Sequence, residues 1–450
     1  MTGPSDRHIQ KIVTVLSFLL CVISASNAYA LPEYAIQTAQ SCNACHIGGF
    51  GPQLTPFGRQ FKLQGYTLRG TQDFVLPVSA MAVASYLRTS TDQPAPPAPH
   101  YGTNDNVALD QANLFVTGGF GNHFGSFAQF TYDGVGRSFA WDNLDLRATN
   151  RAALLGQDVL FGVSLNNNPS VQDPWNTMSA WGFPYTDSGL APAPAAGTVI
   201  GGSLAQSVLG ANAYAWWNSE IYSEVGFYWT PGRGFLRAMG VNPNEGVGVL
   251  SGTAPYLRLG YERQYGDQNF NIGAFVFLPN LYPGGDQSTG KSDHYTDVGI
   301  DASYQFMGSG ENIFQINTIY THERQRLDAS ALLGASGQNN SLNDLRADVS
   351  YYWRNMLGGT VGFFDTWGSA DPILYGGNTT LKPDSSGFLV QLDGTPFGNE
   401  PSPLGARFNV RVGVQYRIFT KFDGGSSNYD GLGHNASDNN ALRVFTWFAF

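Results

Sequence analysis

Charge is scarce in this chain. Of 450 residues only 13% are Asp, Glu, Lys or Arg, about half the share of a soluble globular domain. Long apolar runs are missing as well. Beyond residue 30 nothing approaches the ~18 apolar residues a spanning helix requires, which excludes a helical membrane protein. Positive charge is not in excess either. A net charge of −10 argues against a nucleic-acid footprint, so no nucleic acid is expected among the partners. Cysteine is nearly absent, at 3 residues. What the chain does have is 55 Gly and 14% aromatic residues. Disordered chains lack aromatics and carry high charge, so disorder is excluded and an all-β fold is left.

Residues 1–30 read as a secretory signal peptide. Arg7 and Lys11 supply a positive start, Ile12 to Ile23 an apolar stretch too short to anchor, and Ala28-Tyr29-Ala30 a small-x-small cleavage pattern. Cys21 leaves with the signal, so Cys42 and Cys45 are the two cysteines of the exported chain.

Three stretches alternate strictly in polarity. Arg407, Asn409, Arg411, Gly413, Gln415 and Arg417 interleave with Phe408 through Ile418; Arg346 through Arg354 interleave with Leu345 through Trp353; Asp297 through Gln305 interleave with Val298 through Phe306. A period of two gives each set its own face of a strand. Strands of ~10 residues, Trp217, Trp229 and Trp353 near strand ends, and a chain closing on Phe450 favour a transmembrane barrel over a soluble sandwich. Long connections near 167–204, 231–252, 280–293, 325–342, 368–384 and 419–440 are expected to face outward, and tight turns near 217–219, 265–267, 308–310 and 355–357 to face the periplasm. Parity then demands an ascending strand before 107–120, supplied by residues 75–91. The expectation is a sixteen-stranded antiparallel, porin-like barrel over 75–450, in contact with outer-membrane lipid. Residues 31–74 remain as a separate N-terminal segment.

That segment holds Cys42-Asn43-Ala44-Cys45-His46. Two thiols three apart can each add to a haem vinyl group, and the following imidazole can turn to the iron. A disulfide or a thioredoxin-like pair does not need His46, no βαβ pattern is nearby, and zinc lacks two further ligands. Cys42, Cys45 and His46 are therefore expected to bind one covalent haem c, with His46 as its proximal ligand. Phe57, Phe61 and Leu63 are candidates to wall it, and Arg59 or Lys62 to pair with its propionates. Some 44 residues are too few for an independent core, so the segment should dock as a plug in the lumen or at its periplasmic mouth. The distal ligand is open among Met81, His100 and His123. Met81 shares a face with Val83 and Leu87, opposite Arg88, and is expected to face lipid. His100 belongs to a Pro-rich outer loop, and His123 to a periplasmic turn.

The run Pro56-Phe57-Gly58-Arg59-Gln60-Phe61-Lys62-Leu63-Gln64-Gly65-Tyr66 after the haem motif, leading into a barrel, resembles the fused monohaem cytochrome–porin family of iron-oxidising bacteria. Asn167 to Asn176 and Ala180 to Tyr185 look like a second block of that family. The resemblance implies electron transfer across the outer membrane, an iron(II):cytochrome oxidoreductase activity. Ferrous iron would be the extracellular reductant, and a periplasmic cytochrome or copper-type carrier the acceptor. The other reading is a passive solute or anion porin with a structural or sensing haem segment. Lumenal arginines on one strand favour anions, while only Lys62, Lys291, Lys382 and Lys421 follow the signal. In the last loop Asp423, Asp430 and Asp438 flank His434, although Asp, Asn and Gly are ordinary loop material.

Overall fold

A computed structural model describes residues 32–71, 76–243, 246–399, 402–405 and 407–450. The signal segment, with Cys21 and the cleavage pattern, lies outside the described residues. Sixteen long antiparallel strands, from Val78–Thr89 to Ala441–Ala449, close into a porin-like barrel. Two short strands, Gly248–Leu250 and Asn280–Pro283, pair beside its rim. The first and last strands zip from Met81 opposite Ala449 to Thr89 opposite Ala441, and the Phe450 amide donates to the Ala80 carbonyl at 2.8 Å. Closure leaves no unpaired sheet edge, which is what a sheet needs in lipid.

Alternation sorts each strand between two environments. In Asn409–Lys421, Asn409, Arg411, Gly413 and Gln415 are buried toward the lumen, while Val412, Val414 and Tyr416 are exposed. Val163, Val225, Leu259, Ile300 and Val361 extend the same apolar belt around the outside, as a membrane-spanning barrel requires. Long and short connections alternate as expected with two exceptions: 134–137 is short at the end carrying the long loops, and 395–408 is long at the end carrying the C-terminus. A bulge in Asn106–Phe120 shifts its register opposite Val83/Ala84. By moving the phase it turns both Asp110 and Phe115 inward.

The lumen is filled from both ends. Three short helices, Pro32–Thr38, Cys42–Cys45 and Pro56–Leu63, lie inside the wall. From the other end, the connection after Gln157–Asn166 does not project outward as expected but folds into the barrel. Its residues Asn167, Ser170, Val171, Asp173 and Trp175 are buried. The cause is an ionic anchor: Arg258 lies 3.0 Å from Asp173 of this loop and 2.8 Å from Asp301 of the wall, all three fully buried.

Candidate haem-binding site

Residues 41–46 form one helical turn that bends sharply at its end. The His46 amide donates to the Cys42 carbonyl at 2.9 Å, and His46 itself is extended. His46 then forms an isolated β-bridge with Leu54, closing a loop in which Gly48, Gly49 and Gly51 take positive φ of 74°, 87° and 108°. Arg411 of the wall donates through Nη2 to the Gly48 carbonyl at 2.8 Å and to the Phe50 carbonyl at 2.5 Å. The next helix starts cleanly: Thr55 caps it by accepting from the Gly58 amide at 3.1 Å, and Pro56 occupies the first turn. Gly58 is required by packing rather than by φ. A Cβ there would collide with the Cys45 carbonyl, so the two helices can approach only over glycine.

The wall acts as a socket for this segment. Arg59 pairs with Glu262 at 2.6 Å and donates to Gln305 and Asn269, each at 2.7 Å. Its guanidinium is therefore committed to the wall and not free for propionates. Lys62 Nζ donates to the carbonyls of Val171 at 2.8 Å and Asp173 at 2.7 Å, and to Asn176 Oδ1 at 2.8 Å. Burial pulls its pKa down to about 7, while the three acceptors satisfy every N–H of the ammonium form. Tyr66 donates to Asp145 at 2.7 Å, and Tyr214 reaches from the wall to the Leu63 carbonyl at 2.7 Å.

A cavity of about 350 Å³ opens beside the turn, lined by Cys42, Cys45, His46, Phe50, Phe61, Tyr66, Met81, Phe115, Phe127, Trp181 and Trp447, among others. Phe61 is thus part of its wall, whereas Phe57 and Leu63 are not. The donor set fits a c-type haem. Both cysteines are free thiols, and burial pushes the Cys45 thiol up to about 12, the opposite of a low-pKa exchange cysteine. Burial drives His46 down to about 4, leaving the neutral imidazole that a metal ligand must be. Its buried Nδ1 has no hydrogen-bond partner among the described residues.

Met81 corrects the expectation drawn from its neighbours. It is 9% exposed and faces the lumen with Ser79, Val83 and Ser85. Arg88, which set the phase in the sequence reading, sits at the outward rim, where it lies 3.7 Å from the equally exposed Asp105. His123 lies in an exposed turn with Nδ1 2.9 Å from the Thr149 carbonyl, and His100 is exposed at φ 76° in the loop 90–105. Neither lines the cavity. The charged wall residues Asp297 and Asp301 do not line it either: Asp301 pairs with Arg258 and Asp297 accepts from the Ile200 amide at 2.8 Å. The outer aspartates are occupied as well. Asp423 accepts from the Ala195 amide at 3.0 Å and Asp438 from the Asn435 amide at 2.7 Å.

A second cavity, of about 290 Å³, is lined by Asp187, Asn317, Asp344, Arg346, Asp348 and Arg417, among others. Ser179, Gly182 and Pro184 line both cavities.

No family model and no curated protein matches the chain. Among solved structures it is similar to the outer membrane channel DcaP of Acinetobacter baumannii, at 12% identity over 83% of this chain and 96% of that one, TM-score 0.46. It is also similar to OmpF of Salmonella typhi in complex with daunomycin, at 13% identity over 83% of this chain and 97% of that one, TM-score 0.45. A third is OmpT of Vibrio cholerae in its trimer form, at 9% identity over 83% and 98%, TM-score 0.44. Such identities carry no information on activity.

Proposed function

We propose that this protein is an outer-membrane electron-transfer barrel. Its plug would hold one covalent haem c and pass electrons from an extracellular reductant, ferrous iron first, to a periplasmic cytochrome or copper-type carrier. The observation that supports this is the Cys42–His46 turn, half-buried in the lumen against an aromatic cavity of about 350 Å³. A haem bound there supplies a one-electron couple; the chain does the rest. Cys42 and Cys45 anchor, His46 offers neutral imidazole, Phe50, Phe61 and Phe115 exclude water, and Arg411 fixes the Gly48–Phe50 backbone. Ser179, Gly182 and Pro184 border both this cavity and the more polar one; in this reading the electron passes inward and the oxidised metal stays outside.

Taken by itself, the barrel supports a passive channel better than it supports electron transfer, and the second cavity of about 290 Å³, with Asp344, Arg346 and Arg417 in its lining, favours that second reading. Holoprotein in liposomes, with ferrous iron on one side and an enclosed acceptor on the other, separates the two. Reduction of the acceptor is expected. Solute flux without any reduction would establish the channel instead.

A further inference from the structure

One sulfur lines the cavity beside His46 without belonging to the plug. We propose that Met81 Sδ is the second axial donor to the iron of a haem held by Cys42, Cys45 and His46, an inference that rests on the function proposed above.

Three rivals are engaged by their own hydrogen bonds and a fourth is held protonated. Lys62 has all three donors engaged. Tyr34 donates to the Ser126 carbonyl at 2.6 Å and Tyr66 to Asp145 at 2.7 Å. Tyr185 is half-buried, and its hydroxyl is enclosed without a partner, but it would have to ligate as a phenolate, and desolvation with Asp348 nearby holds it protonated. A thioether needs no deprotonation, so Met81 is ready to donate in the resting cavity.

Its position is also set in advance. Met81 is hydrogen-bonded into the wall between Ala449 and Asn113, and Trp447 Nε1 donates to its sulfur at 3.1 Å. That contact uses one sulfur lone pair and leaves the other for a metal. Trp447 is thus a positioning residue. With one ligand on the plug and one on the wall, iron coordination would staple the small segment to the barrel, which a fold of that size needs. Methionine with histidine also raises the haem potential.

The test uses full-length holoprotein. Wild type should show the weak far-red charge-transfer band of methionine-ligated ferric haem. Met81→Leu, which conserves volume, should lose that band and turn high-spin at lower potential, while still staining for covalent haem on a denaturing gel and keeping the heat-dependent gel mobility of a folded barrel. Met81→His should stay low-spin without the band. Trp447→Phe should keep the band but let added imidazole displace the sulfur at about tenfold lower concentration, in line with loss of an outer-shell partner. Haem staining with no band in wild type, or an unchanged spectrum in Met81→Leu, would overturn Met81 ligation and leave the haem reading standing. Absence of haem staining in wild type would overturn both.

Discussion

Two cavities share one lumen and differ in what lines them. Beside the plug, Phe50, Phe61, Phe115 and Trp447 surround two thiols and an imidazole; beyond Pro184, Asp344, Arg346, Asp348 and Arg417 face open space. Both use the same wall and the same alternating strands. The contrast shows that the lumenal face of a barrel carries no single chemistry. It is a row of sockets whose character depends on what enters them. Where the plug enters, wall polar groups are consumed: Glu262, Gln305 and Asn269 by Arg59, and Asp145 by Tyr66. At the second cavity the wall charges pair with one another and with the infolded loop instead: Arg346 with Asp344 at 2.9 Å, and Arg417 with Asp187 of the loop at 2.6 Å.

The contrast breaks most completely at the thiols. Replacing Cys42 and Cys45 with Ala should abolish haem staining on a denaturing gel while the barrel still folds, because the wall owes nothing to the thioethers. A stained band surviving that change would remove the chemical distinction between the two cavities.

How much of this was legible beforehand follows from the range of each signal. Strand parity is a local pattern, so the faces of Asn409–Lys421 and the sixteen-strand count could be read from sequence, as could the suspicion attached to Cys42, Cys45 and His46. The direction of Met81 could not. Its strand is rich in Ala and Ser, and the single charge used to set the phase, Arg88, lies at the rim where an outward side chain meets water. The inward fold of 167–204 was hidden for a different reason. It depends on Arg258 meeting Asp173 across 85 positions of chain, and no local pattern encodes such a pair. Gly58 had a signal, a glycine inside a helix between Phe57 and Arg59, but its reason exists only once Cys45 is packed against it.

That long-range anchor supplies the next largest effect. Arg258→Met would leave Asp173 and Asp301 buried without their cation, at a cost of about 3–5 kcal/mol. Urea titration followed by gel mobility should register the loss, and protease should now cut within 167–204 in intact cells. Unchanged stability would mean the loop is held by its apolar contacts, such as Met178 and Leu204 in the cluster with Tyr256. A smaller effect is expected at the helix contact. Gly58→Ala should cost about 1–3 kcal/mol through forced separation of the two helices. Because the clash is with Cys45, the yield of haem-stained protein should fall more than the yield of folded barrel. Equal losses would show that Gly58 serves only the fold.

The smallest effect is expected farthest from both cavities, in the last loop. His434 Nδ1 lies 2.5 Å from Asp430 Oδ2, and the hydrogen bond to Asp430 raises the His434 pKa while lowering that of Asp430. For His434 the contribution to loop order is fully present below the ordinary histidine value of about 6.5 and fades as pH rises through the raised value. For Asp430 it is present above the ordinary carboxylate value and fades as pH falls through the lowered one. Loop order should therefore peak between those limits, measured by proteolysis of 422–440 across pH, with a shallow maximum because both groups face solvent. Neutralising Asp423, Asp430 and Asp438 together to Asn should flatten that maximum and leave the rate of haem reduction by ferrous iron nearly unchanged, against complete loss for His46→Ala. All three carboxylates already accept backbone amides, so no converging set is free to hold a cation. A large fall in rate on neutralisation would make this loop the donor site.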